Sequence, residues 1–199
     1  MSKLLYLIKY LKYLFVSKTK HGVHSPFVFE LVTKVIDVKT DLHEYLLNEQ
    51  LKLKGKKNKK YLKLLVRLCQ YFQPKNILEI SSHTLEKSNL LAKINPQSKL
   101  FYVQNNNIKQ DHKLKVIDLV LIRSNINSIN TIRDIELGLK YIHNDSFLII
   151  ENIHKTKKME SVWSKIITHN KVSVSIDLFQ IGIIFFRKEQ VKENFIIRF

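Results

Sequence analysis

The stretch Asn76-Ile-Leu-Glu-Ile80, just after Pro74, determines the fold class of this chain. A short and almost continuous apolar run of this kind is typical of a strand that is buried on both faces. Similar runs follow it, and most of them are separated by segments with helical periodicity. This alternation predicts a mostly parallel sheet covered by helices and extended by an antiparallel C-terminal hairpin. The predicted strands are Asn76–Ile80, Leu100–Val103, Val116–Ile122, Phe147–Ile150, Val172–Leu178 and Gly182–Phe186, and the predicted helices between them are Leu85–Ile94, Ile129–His143 and Lys157–His169.

The part of the chain before Pro74 is predicted to be helical, because its apolar residues recur at helical spacing. Lys52–Lys60, which holds six lysines around Gly55, is predicted to be an exposed and mobile loop, since like charges repel and glycine disfavours helix. We therefore divide the chain into an N-terminal helical arm and cap, residues 1–73, and a Rossmann-like domain, residues 74–199. The predicted N-terminal helices are residues 3–16, Phe27–Val38, a helix that begins near Thr40, and Tyr61–Phe72.

Two ends of the chain resemble a known family. The segment His21-Gly-Val-His-Ser-Pro-Phe-Val-Phe-Glu30 is similar to the N-terminal signature of a group of bacterial methyltransferase-like proteins, and Ser175–Arg187 and Ile150–His154 agree with the same group. The order of strands and helices also resembles that of class I S-adenosylmethionine-dependent methyltransferases. The resemblance implies a Rossmann-like methyltransferase fold, with S-adenosylmethionine as the expected cofactor.

The resemblance also implies where that cofactor would bind. In the family, the first strand ends in an acidic residue and a glycine-rich turn, because glycine lets the backbone approach the ligand closely. Glu79 stands at the position of the acid, and Ser81, Ser82 and His83 stand in the turn, which holds no glycine up to Glu86. We expect these residues to be vestigial cofactor positions.

The second and third predicted strands depart from the family pattern in the same way. Gln104 stands where a carboxylate would accept the ribose hydroxyls, and a glutamine side chain offers one acceptor oxygen and no charge. Arg123 stands where an acid is expected after the third strand. Only twelve residues, Gln104–Lys115, connect these strands, which is too few for a helix–strand–helix insert. The sheet is therefore predicted to be truncated at that edge.

These departures favour a methyltransferase-like protein with a degraded cofactor site, which serves as a catalytically inactive scaffold or interaction module. The alternative is an active small-molecule O- or N-methyltransferase with an atypical pocket. No catalytic residue is assigned. Glu151, His154 and His169 are weighed as metal ligands, but a hard cation prefers more carboxylates, so no metal is predicted.

The net charge of +17 is carried by 29 lysines and only five arginines. Arginine is the better residue for bidentate recognition of phosphates and bases, and the chain is also rich in isoleucine and asparagine, which indicates a biased composition. We therefore predict no specific nucleic-acid partner, and any such binding should be weak and sensitive to salt. A lysine-rich binder of RNA or of a membrane surface is kept as a further alternative.

The first predicted helix, residues 3–16, carries an apolar stripe. We expect this helix to pack on the domain, on a second copy or on a protein partner, and peripheral membrane contact is the less favoured interpretation. A single cysteine, Cys69, fits a reducing compartment, and no convincing cleavable signal peptide is visible. A cytoplasmic protein is therefore predicted, and the resemblance implies a bacterial one. The stripe consists of Leu4, Leu7, Ile8, Leu11, Leu14 and Phe15.

Overall fold

The computed structural model describes residues 3–38, 56–81, 95–104, 107–109, 116–123 and 128–199. Within these ranges the chain forms helices at its start and then alternates strands with helices. The strands are β1 (Asn76–Ser81), β2 (Lys99–Gln104), β3 (Asn107–Lys109), β4 (Ile117–Arg123), β5 (Ile142–Glu151), β6 (Val174–Asp177), β7 (Ile181–Phe185) and β8 (Glu193–Ile196). The α-helices are α1 (Lys3–Val16), α2 (Pro26–Leu31), α3 (Lys56–Phe72), α4 (Ser128–Gly138) and α5 (Lys157–Ile167).

The described strands form one sheet in the order β3-β2-β1-β4-β5-β7-β6-β8. Strands β2, β1, β4 and β5 are parallel to one another, and β7 runs antiparallel to both β5 and β6. The predicted order of the parallel strands and the antiparallel hairpin is thereby confirmed. At the edge predicted to be truncated, the three-residue strand β3 pairs antiparallel with β2. At the other edge β8 pairs parallel with β6, and the sequence patterns had not predicted this strand.

Local side-chain chemistry fixes several helix ends. Pro26 opens α2, and the Ser25 hydroxyl oxygen accepts a hydrogen bond from the Val28 amide at 3.4 Å, as expected of a cap. The Thr156 hydroxyl oxygen caps α5 in the same way, at 3.1 Å from the Met159 amide nitrogen. A π-helical turn, Val32–Ile36, continues α2.

Each face of the sheet carries its own hydrophobic core. Helices α2 and α3 cover one face, so the N-terminal helices and the sheet share that core, and the division of the chain at residue 73 stays a prediction. Helices α4 and α5 cover the other face. The first core includes Leu31, Leu62, Leu65, Ile77, Leu119 and Phe147, and the second includes Leu78, Val120, Ile135, Leu148, Met159 and Trp163.

Two predicted boundaries are wrong. Lys56–Lys60 was predicted as loop but is the first part of α3, which fits the good helix propensity of lysine, and the Lys60 ammonium lies 4.0 Å from the centre of the Phe199 ring. The helix predicted to end at His143 ends at Gly138, because β5 begins at Ile142 and pairs there with β4. Residues 52–55, the helix predicted from Thr40 and the helix predicted at Leu85–Ile94 lie outside the described residues.

Among the described helices, none combines the length and the apolar character needed to cross a membrane.

Candidate functional site

The candidate site lies at the carboxyl ends of β1 and β4. After β1 the chain moves to β2 on one side, and it then returns to β4 on the other side of β1. The order of the strands therefore reverses between β1 and β4. Open α/β sheets bind their ligands in the crevice at such a switch point.

Three charged residues lie on the same face of the sheet at this point. Glu79 is in register with Leu121, and Leu121 is in register with Ile149. Arg123 and Glu151 each follow two residues later on their strands, and side chains two residues apart share a face. Leu121 and Ile149 belong to the core beneath α3, so the three charged side chains lie on the face that α3 covers.

The three charged side chains and one tyrosine form a connected polar network, which we call the switch-point network: Glu79, Arg123, Glu151 and Tyr61. The Arg123 Nη1 atom lies 2.8 Å from Glu79 Oε1, and its Nε atom lies 3.6 Å from Glu151 Oε1. Glu79 is only 1% exposed. Tyr61, which is buried on α3, lies close enough to Glu151 for that carboxylate to shift the pKa of its hydroxyl. The guanidinium group of Arg123 thus lies between two carboxylates.

The surroundings keep Tyr61 neutral and Arg123 charged. Burial raises the pKa of Tyr61 well above its usual value, and the neighbouring carboxylate of Glu151 raises it further. Burial lowers the pKa of Arg123, but its hydrogen bond to Glu79 and the charge of Glu151 outweigh that effect and raise the pKa overall. Arg123 therefore faces Glu79 and Glu151 as a cation.

The predicted cofactor residues are found in part at this site. Glu79 is in the network, and Ser81, the last residue of β1, is buried and in register with Arg123. Gln104 is the last residue of β2 and is in register with Asn107 of β3. Ser82 and His83 lie outside the described residues. The cofactor roles of all five stay predictions, and sequence reasoning missed the ion pair of Arg123 and the contribution of Tyr61.

A second polar cluster joins α1 to the hairpin of β6 and β7. The His154 ring lies between two carboxylates: its Nε2 atom is 2.6 Å from Asp177 Oδ2, and its Nδ1 atom is 3.2 Å from Glu160 Oε1. Lys9 of α1 reaches the other oxygen of Glu160 at 2.6 Å. The ring also stacks on Phe179, with 5.2 Å between ring centroids. Burial lowers the pKa of His154, but the hydrogen bonds and charges of Asp177 and Glu160 raise it overall.

This shift predicts that stability falls as the pH rises. A group whose pKa is higher in the folded protein than in the unfolded chain stabilises the fold while it is protonated. That stabilisation is complete when the pH is below the pKa of the unfolded chain, about 6.5 for histidine. It is lost as the pH rises through the pKa of the folded protein. We expect the melting temperature, measured in steps above pH 6, to fall more in the wild-type protein than in a His154→Gln variant. A His169→Gln variant serves as the control and should follow the wild type. Equal pH profiles for wild type and His154→Gln would contradict this assignment.

The residues weighed as metal ligands are engaged in other contacts. Glu151 contacts Arg123, His154 contacts Asp177, and a ring nitrogen of His169 accepts a hydrogen bond from the Lys171 amide. Among the described residues, no group of three or more histidine, cysteine, aspartate or glutamate side chains is arranged to hold a metal ion.

Comparison with solved structures places this fold among methyltransferases. A Staphylococcus aureus protein assigned as a caffeoyl-CoA O-methyltransferase is 13% identical, with a TM-score of 0.53 over 73% of this chain and 93% of the other. The O-methyltransferase TomG from Streptomyces achromogenes, solved with S-adenosylmethionine, is 12% identical, with a TM-score of 0.51 over 80% of this chain and 96% of the other. The methyltransferase PaMTH1 from Podospora anserina, solved with S-adenosylhomocysteine, is 7% identical, with a TM-score of 0.52 over 84% of this chain and 98% of the other.

At sequence identities of 7–13%, the similarity of these structures to the chain shows a shared fold. No model of a protein family matches the chain, and no curated protein matches it. The Rossmann-like methyltransferase fold expected from the sequence is thereby confirmed, including its mostly parallel sheet and antiparallel hairpin.

Proposed function

We propose that this chain is a methyltransferase-like protein that no longer uses S-adenosylmethionine and that works as a binding module. The observation that carries the proposal is the position of Arg123. Its guanidinium group lies 2.8 Å from Glu79 at the switch point, where this fold offers its ligand crevice. An ion pair of the protein's own thus lies at the carboxyl ends of β1 and β4, on the face of the sheet that α3 covers.

A ligand that had to break this ion pair would bind weakly. A ligand that separated Arg123 from Glu79 would leave a buried charge without its partner, which costs about 3–5 kcal/mol. Micromolar affinity corresponds to about −8 kcal/mol and millimolar affinity to about −4 kcal/mol. The penalty therefore turns a micromolar site into a millimolar one. S-adenosylmethionine also carries a positively charged sulfonium, which the guanidinium group repels.

The sequence supports the same conclusion. Residues 81–86 contain no glycine that would let the backbone approach a cofactor, and Gln104 lacks the charge of a ribose-binding carboxylate. We also propose that the protein is a degenerate member of the bacterial group it resembles, and that it acts in the reducing cytoplasm. Its single cysteine, Cys69, is buried, and burial raises the pKa of its thiol to about 12, so the thiol is unreactive.

Calorimetric titration tests the proposal directly. We expect S-adenosylmethionine and S-adenosylhomocysteine to give little heat and little thermal shift with the wild-type protein, and dissociation constants of about 1 mM or weaker. TomG, whose structure contains S-adenosylmethionine, is the positive control for the sensitivity of the measurement. Micromolar binding by the wild-type protein would overturn the proposal and favour an active O- or N-methyltransferase with an atypical pocket.

A further inference from the structure

Helix α1 turns its apolar stripe away from the protein. A helix on a globular protein normally faces the core with its apolar side. Here Tyr6, Tyr10 and Tyr13 face the body of the protein, whereas Phe15 is 93% exposed. The large apolar side chains of α1 that are exposed include Leu4, Leu7, Ile8, Leu11, Phe15 and Val16.

Specific contacts hold α1 in this orientation. The three tyrosine rings surround Phe179, each with a centroid distance between 5.0 and 5.2 Å. The Tyr13 hydroxyl donates a hydrogen bond to the Ile197 carbonyl, and the Lys9 ammonium lies 2.6 Å from Glu160 Oε2. These contacts would be lost if the helix rotated to bury its stripe. The exposed stripe is therefore a fixed feature of the surface.

The surroundings of the stripe are basic. Residues 1–29 contain five lysines and no aspartate or glutamate. Lys12 and Lys18 are exposed, and the exposed Arg198 donates a hydrogen bond to the Leu14 carbonyl at 2.7 Å, next to Phe15. The stripe thus combines apolar side chains with positive charge, and the protein as a whole carries a net charge of +17.

We propose that the exposed face of α1 docks onto an anionic lipid surface, with the helix lying in the plane of the membrane. Interfacial helices bind in this way, with the apolar side chains at the boundary of headgroups and acyl chains and the basic residues near anionic lipids. A second copy of the chain fits less well, because residues 1–29 offer no acidic side chain to pair with the lysines of a facing helix. This interaction does not depend on the cofactor crevice.

Co-sedimentation of the full chain with vesicles tests the proposal. The probe is phosphatidylcholine vesicles with about one third phosphatidylserine, compared with pure phosphatidylcholine. The wild-type protein should bind the anionic vesicles, and binding should weaken as salt is raised to about 0.5 M. A Phe15→Glu variant should bind about tenfold more weakly or worse, since it loses one large apolar side chain and gains a negative charge.

A matched variant distinguishes the effect of the apolar stripe on vesicle binding from the effect of net charge. Val191 is 78% exposed on another part of the surface, so Val191→Glu makes the same kind of charge change and should bind like the wild type. Equal melting temperatures for the three proteins would show that folding is unaffected. The proposal is overturned if the wild type does not bind anionic vesicles, if it binds neutral vesicles equally well, or if both variants behave alike. A dimer that dissociates only in Phe15→Glu, measured by sedimentation, would assign the face to a second copy instead.

Discussion

Replacing Arg123 by glutamine is expected to lower the free energy of unfolding by about 3–5 kcal/mol, because it leaves the buried carboxylate of Glu79 without its partner. Glu79 is 1% exposed and lies 2.8 Å from Arg123, so water cannot readily replace the lost guanidinium group. For a chain of this size, such a loss lowers the melting temperature by roughly 6–20 °C. Urea and thermal unfolding followed by circular dichroism would measure both quantities.

Two further variants make this result specific. Arg187 is more exposed than Arg123, and its Nε atom lies 2.7 Å from Glu189 Oε1. Arg187→Gln should therefore lower the free energy of unfolding by about 1 kcal/mol or less, as the loss of a surface ion pair does. The double variant Glu79→Gln/Arg123→Gln removes both charges and should be more stable than Arg123→Gln alone. If Arg123→Gln costs no more than Arg187→Gln, breaking the ion pair carries no large penalty, and the energetic argument of the proposed function fails.

The sheet could be predicted from the sequence because its strands are buried on both faces. Runs such as Asn76–Ile80 and Val116–Ile122 are apolar almost throughout, and such runs are typical of parallel strands between two helical layers. The short strand β8 was missed for the opposite reason. It lies at the edge of the sheet, and Phe195 is the one residue of its four that is buried, so its sequence lacks the apolar run.

The predicted end of α4 is wrong because the helical pattern of apolar residues continues beyond the last residue of the helix. Leu139 and Ile142 extend the helical spacing of α4, but Leu139 lies beyond the helix and Ile142 already pairs with Ile117 in the sheet. Tertiary pairing decides such positions, and periodicity alone does not show it. In Lys56–Lys60 the repulsion between lysines favours a loop and their helix propensity favours a helix, and in the structure the helix prevails.

The candidate site was predictable only in part, because its decisive contact depends on the register of two strands. The sequence places Glu79 near the end of one strand and Arg123 at the end of another. Only the observed register, with Ser81 opposite Arg123, brings both side chains to the same face. An arginine at a position where an acid was expected, close to a buried glutamate in a neighbouring strand, was the signal that could have revealed the pair.

The apolar stripe of α1 shows a similar limit. Helical spacing identifies the two faces of a helix, but it does not say which face the protein covers. Here three tyrosines gathered around Phe179 and the Lys9–Glu160 ion pair decide the matter, and both contacts span more than 150 positions in the chain. The expectation that α1 packs on the domain agrees with its tyrosine face, whereas the partner of its apolar face is a proposal.

Close packing of a glycine against a tryptophan fixes the place of α5 on the sheet. Gly182 lies in β7 between Ile150 of β5 and Asp177 of β6. The Trp163 ring of α5 covers it so closely that a Cβ atom at Gly182 would lie 2.3 Å from the ring. Since real Cβ atoms do not approach other atoms so closely, any side chain at this position must displace the buried ring.

A Gly182→Ala variant is therefore expected to lose about 3 kcal/mol of stability, the upper end of the usual range for overpacked cores. The opposing gain from a less flexible unfolded chain is about 0.5–1 kcal/mol, so the clash decides the sign. Trp163 is the only tryptophan, so its fluorescence in a urea titration reports on the displaced ring directly. Gly22→Ala is the matched control, because its Cβ would lie 3.3 Å from the Cβ atom of the exposed Lys18, and a small local shift relieves that contact. A Gly182→Ala protein as stable as the Gly22→Ala protein would show that α5 shifts freely over the sheet.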